Sequence, residues 1–150
     1  MIFRSTITDR WIASTPQLLG ILRIAAAVTF MLAGTTKIFA FPAGIPPKGD
    51  TVQLMTEIGI GGLLEVFGGG MLLIGLFTRP VAFVLSGEMA VAYFQFHFPH
   101  GFWPVMNGGV PALLYCFVWL YFSCAGGGSW SIDAILLKRR QRSQIEGEQR

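Results

Sequence analysis

Four long apolar segments take up most of this chain and constrain what it can fold into. They cover residues 18–41, 58–77, 81–98 and 110–125. A helix that spans a membrane needs roughly 20 predominantly apolar residues, within a range of about 17–25. The first three segments meet that length, and we expect the slightly short fourth to gain a turn at one end. The sequence predicts an all-α, integral membrane four-helix bundle.

The composition argues against a water-soluble bundle of buried helices. Hydrophobic residues make up 53% of the chain and charged residues only 13%, whereas soluble domains carry about 25% charged residues. Too little polar surface remains to cover four apolar helices in water. The formal charge of +3 comes from a basic cluster at residues 138–142, so it does not indicate a nucleic-acid partner. Cys116 and Cys124 lack the spacing of a redox pair or zinc site, which favours packed thiols.

The segments predict four parts of the chain. Residues 1–17 form a cytoplasmic N-terminal arm, and residues 18–126 form the transmembrane bundle. Residues 127–142 form a short interfacial amphipathic helix with a basic tail, which begins after a glycine run and is capped by Ser131. Its basic face would meet anionic lipid. Residues 143–150 are predicted to be disordered.

The positions of lysine and arginine predict the orientation of the bundle. Arg4 and Arg10 precede the first span, Arg79 lies between the second and third, and the basic cluster follows the fourth. Four spans place all of these on one side, whereas Lys48 lies on the other. Short loops rich in Lys and Arg stay in the cytoplasm, so both termini should be cytoplasmic.

Four charged residues interrupt the apolar segments, and such residues mark function by default. Counting about 1.5 Å per helical residue puts Glu88 level with Arg23. The same count puts Glu65 close in height to Gln95, with Lys37 above them. We therefore expect a lower Arg23–Glu88 pair and an upper group of Glu65, Gln95 and Lys37. Two interpretations stay open: an ion-pair network that fixes helix packing, or a polar pocket that handles protons or a polar headgroup.

Weaker signals lie near the third connection. His97 and His100 have a spacing that a metal site could use, but Pro99 interrupts the helix and no other ligand type is nearby, so an interfacial polar cluster is favoured. His97 follows Glu88 by nine residues, which is roughly 180° around an ideal helix. It would need a bent helix end to reach the same pocket. Asn107 can cap the fourth helix or enter the upper polar group.

Short motifs along the chain resemble those of the DoxX family of small four-helix bacterial membrane proteins. The resemblance covers residues 18–137 and includes Arg23, Lys37, Glu65, Glu88 and His97. Where many members carry a glutamate after Asn-Gly-Gly, this chain has Val-Pro. The motifs are Ala33-Gly34 with Lys37, Leu64-Glu65, Gly75 to Arg79, Glu88-Met89, His97 to Phe102, Asn107 to Gly109, and Trp130 to Asp133.

The resemblance implies a bacterial inner-membrane protein linked to redox chemistry. Some members resemble a subunit of a thiosulfate:quinone oxidoreductase, and others are linked to membrane-associated thiol and oxidative-stress complexes. It therefore implies a non-catalytic subunit with lipid contacts, a soluble oxidoreductase partner and a quinone as ligand, and the chain itself shows no catalytic constellation. A second copy of the chain, in a homo-oligomer, is a further expected partner. The alternative functions are a transporter for a small solute or lipid and a structural membrane scaffold.

Overall fold

A computed structural model describes residues 6–46 and 48–148, and the regular structure within them is helical. This confirms the predicted all-α class. A π-helical turn at Tyr93–His97 and a 3-10 turn at Phe98–His100 extend the third helix. The α-helices are α1 (Thr6–Phe39), α2 (Glu57–Ile74), α3 (Thr78–Ala92), α4 (Pro104–Asn107), α5 (Val110–Ala125) and α6 (Ile132–Glu148).

The bundle consists of α1, α2, α3 and α5. α1 packs mainly against α2, and α3 packs mainly against α5. A tight turn joins α2 to α3, and its first residue, Gly75, has a left-handed backbone with φ of 69°. At the other end of α2, Thr56 caps the helix by accepting a 3.1 Å hydrogen bond from the backbone N–H of Gly59. We call the end of the bundle with residues 75–77 and 126–131 basal, and the end with residues 40–56 and 98–109 apical.

Three helical stretches are long and apolar enough to cross a membrane, namely Thr8–Phe39, Glu57–Ile74 and Thr78–His100. Val110–Ala125 is apolar but shorter. The expected extra turn does not extend it, because α4 is a separate short helix before Gly108 and Gly109. Large apolar side chains face outward around the bundle, including Phe67 at 70% exposed and Phe83 at 66%. Such a surface suits contact with lipid rather than water.

The buried core draws on all four bundle helices, and a group of aromatic rings from α1 and α5 lies at its centre. Phe30 meets Trp119 with ring centroids 5.3 Å apart and planes at 79°, an edge-to-face arrangement that aromatic pairs favour. Tyr115 stacks on Trp119 at 5.7 Å, and Phe122 packs on its other side at 5.9 Å. These rings fill the interior in the middle of the bundle.

The helices at the two chain ends are longer than the predicted segments. α1 begins at Thr6, so the part of the arm from residue 6 to residue 17 is continuous with the first apolar helix. Ser131 caps α6 as predicted, because its Oγ accepts a 3.2 Å hydrogen bond from Ala134 N–H. The prediction of disorder is wrong for residues 143–148, which are helical and include an Arg142–Glu146 ion pair at 2.9 Å. Residues 1–5 and 149–150, also part of predicted segments, lie outside the described residues.

Candidate functional site

Arg23 lies at the basal end, where its buried guanidinium donates to backbone carbonyls. Its Nε donates to Gly127 O at 2.9 Å and its Nη2 to Trp130 O at 2.5 Å. Its Nη1 donates to Leu73 O at 2.9 Å and also to Leu72 O. The first two carbonyls belong to the segment after α5 and the last two to the final turn of α2. Arg23 therefore joins three helices of the bundle through their backbone.

The predicted Arg23–Glu88 pair is wrong. The carboxylate that interacts with Arg23 is Asp133, in the first turn of α6. The carbonyls at a helix C-terminus lack partners within the helix and carry partial negative charge, so they attract a cation. The prediction compared only the estimated depths of charged side chains. Such a comparison cannot reveal that backbone carbonyls are the partners of Arg23.

Further hydrogen bonds connect the helices at the basal end, and we call this set of contacts, together with those of Arg23, the basal junction. Asp133 accepts from Phe77 N–H at 2.9 Å and Thr78 N–H at 2.8 Å, and so caps the start of α3. Arg79 donates to the last turn of α5, at Ser123 O (3.3 Å) and at Cys124 O. The residues at this end hold the helices together.

Lys37 and Glu65 form an ion pair in the apical half of the bundle. Lys37 Nζ lies 2.6 Å from Glu65 Oε1, and Glu65 is only 3% exposed. Glycines let α1 and α2 approach here: a Cβ added to Gly34 would lie 2.8 Å from the carbonyl oxygen of Gly62. The structure thus brings together two of the charged residues that the sequence placed in one upper group.

Glu88 joins this pair instead of Arg23. Its carboxylate lies beside α2, since a Cβ added to Gly61 would be 3.2 Å from Glu88 Oε1. It interacts electrostatically with both Glu65 and Lys37. We refer to Lys37, Glu65 and Glu88 as the acidic cluster.

The boundaries of α2 and α3 explain why Glu88 lies level with Glu65 and not with Arg23. Glu65 precedes the end of α2 at Ile74 by nine residues, and Glu88 follows the start of α3 at Thr78 by ten. At about 1.5 Å per residue both glutamates lie about 14–15 Å from the basal turn. The heights expected from the sequence count from residue 77, where the second apolar segment ends, and from residue 81, where the third begins. Neither residue is a helix end.

The acidic cluster contains polar atoms without partners. Glu65 Oε2 and Glu88 Oε2 are both buried, and neither has a hydrogen-bond partner in the structure. The cluster contains two carboxylates and one ammonium group, so it holds an excess of negative charge when both carboxylates are ionised. Uncompensated charge at membrane depth is costly, whichever scale is used. The cluster therefore has the capacity to accept a proton or a hydrogen-bond donor from a ligand.

A cavity of about 650 Å³ between α2 and α3 is lined by several polar residues of the apical half, although Glu65 is not among them. Its apolar walls include Ile60, Leu64, Val84 and Val91. These four side chains are between 36% and 59% exposed on the outside of the bundle, so the cavity opens sideways. At the polar end of the cavity lie Lys37, Glu57, Glu88, Gln95 and His97.

Gln95 lines this cavity but does not contact Glu65. Its Nε2 donates to Glu57 Oε2 at 2.6 Å, which corrects the predicted grouping with Glu65. The sequence analysis missed Glu57. It is the first residue of α2 after the Thr56 cap, a position where an acidic side chain is common because it complements the helix dipole. Its spacing of four residues from Gly61 is the signal that it shares the cavity-facing side of α2.

The π-helical turn brings His97 into the cavity. Phe98 N–H donates to Tyr93 O, five residues back, instead of four. One extra residue in a turn rotates the side chains that follow it by about 100°. This turn supplies the bent helix end that His97 needs to reach the side of Glu88. His97 Nδ1 lies 3.2 Å from Asn107 O.

Asn107 stabilises the apical loop and is not among the cavity residues. Its Nδ2 donates to Gly101 O at 2.8 Å, and its Oδ1 accepts from Gly109 N–H at 2.8 Å. It therefore fills neither expected role: it does not enter the polar group, and the N-cap of α5 is Gly109, whose N–H it accepts from. His100 is exposed, with Nδ1 2.9 Å from Phe96 O. Within residues 6–46 and 48–148, no group of three His, Cys, Asp or Glu residues could hold a metal ion.

The two cysteines are free thiols in different surroundings. Cys116 packs against the aromatic core, as expected. Cys124 is exposed, which differs from the prediction of a packed thiol.

Comparison with known proteins identifies the family of this chain. The family model described as DoxX matches residues 18–98. A curated relative from Haemophilus influenzae, an uncharacterized protein, is 40% identical over 131 residues, which cover 83% of this chain and 94% of the relative. The chain belongs to the DoxX family. No solved structure matches it.

Family membership and the apolar helices together identify an integral membrane protein. The residues matched by the DoxX model include the acidic cluster and the cavity residues from α2 and the extended α3. They also include Arg23, but the segments that supply its other carbonyl partners, Gly127 and Trp130, lie beyond the matched range.

The basal junction generates a stability prediction. Arg23→Met should destabilise the folded protein by about 3–5 kcal/mol, because it removes a buried cation and leaves four carbonyls without its hydrogen bonds. Unfolding in a mild detergent, followed by circular dichroism or tryptophan fluorescence, measures the change.

Arg142→Met is the matched control. Arg142 forms an exposed ion pair with Glu146 on α6, which should contribute no more than about 0.5 kcal/mol. Equal loss of stability in the two variants would contradict the role assigned to Arg23.

Proposed function

We propose that this DoxX-family protein is a non-catalytic membrane subunit of a redox or thiol-stress assembly, and that its cavity holds the headgroup of a quinone. The observation that carries this proposal is that two members of the acidic cluster, Lys37 and Glu88, lie at the polar end of a cavity that opens sideways. A binding site for an amphiphile needs both a polar end and access from the lipid.

The walls of the cavity suit a ligand with an apolar tail. Ile60, Leu64, Val84 and Val91 line the side that faces the surroundings. A tail can leave along this surface while the headgroup contacts Lys37 and Glu88. The volume of about 650 Å³ falls within the 300–1,000 Å³ typical of small-molecule sites.

The polar end suits a headgroup that exchanges protons. Lys37 offers N–H donors to a ring oxygen, and Glu88 offers a carboxylate oxygen that has no partner. Reduction of a quinone consumes two electrons and two protons, so carboxylates near the ring would serve as proton carriers. In this proposal the electrons come from a soluble oxidoreductase that docks on the subunit.

The observations favour binding over passage of a solute through the bundle. Below the acidic cluster, Phe30, Trp119 and Phe122 fill the interior, and each is at most 1% exposed. Arg23 and its carbonyl partners close the basal end. A transporter would need a second opening on that side, so we place the transporter and scaffold alternatives behind the subunit proposal.

We further propose that the protein lies in a bacterial inner membrane with both termini in the cytoplasm. Arg79 lies at the basal end, near α6 and its basic cluster at residues 138–142. Lys48 lies in the apical loop. This asymmetry supports a cytoplasmic basal end, because loops rich in Lys and Arg stay inside.

Purification from membranes in a mild detergent tests the proposed ligand and partner. We expect a quinone to be enriched relative to the total lipid extract, together with a soluble oxidoreductase, when small molecules and proteins are identified by mass spectrometry. Lys37→Met should reduce the bound quinone by about fivefold or more, since it removes the charged donor to a ring oxygen, and a lost hydrogen bond to a charged group costs about 1.5–3 kcal/mol.

Arg142→Met on α6 controls for the loss of a cation far from the cavity. It should retain the quinone content of the wild type. The absence of quinone enrichment in the wild-type protein would contradict the proposed ligand.

Cysteine labelling in intact cells tests the proposed orientation. A membrane-impermeant maleimide should label Lys48→Cys in the apical loop but not Ile145→Cys on α6. Both positions are exposed. The parent chain, with Cys116 and Cys124 only, gives the background. Labelling of position 145 but not position 48 would refute cytoplasmic termini.

A further inference from the structure

Hydrogen-bond acceptors outnumber donors at the polar end of the cavity. Glu88 Oε2 is buried without a partner. Gln95 uses its Nε2 to donate to Glu57, so its carbonyl oxygen is left to accept. The donors that remain are the second hydrogen of Gln95 Nε2 and the ammonium group of Lys37, one of whose hydrogens is already directed to Glu65.

His97 adds another acceptor. Its Nδ1 lies 3.2 Å from Asn107 O. A carbonyl oxygen can only accept, so Nδ1 carries the proton in this contact. In the neutral ring the other nitrogen, Nε2, then has a free lone pair. His97 lines the cavity, which places this acceptor with those of Glu88 and Gln95.

We propose that the cavity distinguishes the two redox forms of its ligand and binds the hydroquinone in preference to the quinone. This inference rests on the proposed function. A hydroquinone carries two hydroxyl groups, and each can donate to a carboxylate, an amide oxygen or an imidazole nitrogen. A quinone carries two carbonyl oxygens and donates nothing.

The preference for the hydroquinone follows because two hydrogen-bond acceptors that face each other without a hydrogen between them are destabilising. With Glu88 ionised, a bound quinone would leave the Glu88 carboxylate without a donor and would bring a further oxygen towards it. A bound hydroquinone would supply a donor to Glu88 while its other hydroxyl reaches Gln95 or His97. Sites that are built to hydrogen-bond a hydroxyl strongly reject analogues that lack it. The cavity would therefore retain the reduced ligand and release the oxidised one.

Binding to the full chain in lipid nanodiscs tests this inference. The probes are decyl-hydroquinone, the matching decyl-benzoquinone, and the dimethyl ether of the hydroquinone, which keeps the ring and tail but has no donor. Nanodiscs without protein correct for partition into lipid, and anaerobic conditions keep the hydroquinone reduced. We expect the hydroquinone to bind about tenfold or more tightly than either other probe.

Glu88→Gln should reduce this preference to about threefold or less, because the amide replaces one acceptor oxygen with a donor. Glu146→Gln should keep the wild-type preference. If Glu88→Gln does not fold, binding of the three probes to the wild-type protein still tests the redox preference.

The results separate this inference from the proposed function. Equal binding of all three probes above the protein-free nanodiscs overturns the redox preference and leaves the quinone-type site in place. Tighter binding of the quinone than of the hydroquinone also overturns it. Binding of none of the probes above the protein-free nanodiscs overturns both.

Discussion

Charged side chains inside an apolar bundle must find partners within the protein, and this requirement organises the whole molecule. The bundle meets it in two ways. At the basal end, Arg23 donates hydrogen bonds to carbonyls of several chain segments and interacts with the carboxylate of Asp133. Its side chain therefore holds the helices together. In the apical half, Lys37 pairs with Glu65 while Glu88 lies nearby as a second carboxylate, and the charges do not balance.

The basal end therefore stabilises the bundle, and the apical half carries the candidate functional site. The basal end has short connections, and the aromatic core above it leaves little room. The apical half has a cavity, unpartnered carboxylate oxygens and an opening towards the lipid. A site that binds and releases a ligand needs groups whose partners are incomplete, and the structure has such groups at the acidic cluster. The same reasoning makes Arg23 a poor candidate for ligand contact, although it is as deeply buried as any residue in the chain.

The sequence predicted the features that follow from local patterns. The apolar segments predicted the bundle, and the cap at Ser131 followed from residue type and position. The spacing and depth of Lys37 and Glu65 also predicted their proximity. Three features could not be obtained in this way. The partners of Arg23 are backbone carbonyls, which every residue carries and no sequence pattern marks. The height of Glu88 depends on helix ends that differ from the ends of the apolar runs. The orientation of His97 depends on a π-helical turn, for which the ideal helical period fails.

The most direct test of this account is a double-mutant cycle between Lys37→Met and Glu88→Gln, with the free energy of unfolding measured in one detergent. Lys37→Met leaves two carboxylates without their shared cation, so Glu88→Gln should partly restore stability in that background. We predict an interaction energy of about 0.5–3 kcal/mol, the range found for residues that share partners. If the effects of the two substitutions add within about 0.3–0.5 kcal/mol, as they do for independent sites, then Glu88 does not belong to the acidic cluster and the account of the site is contradicted.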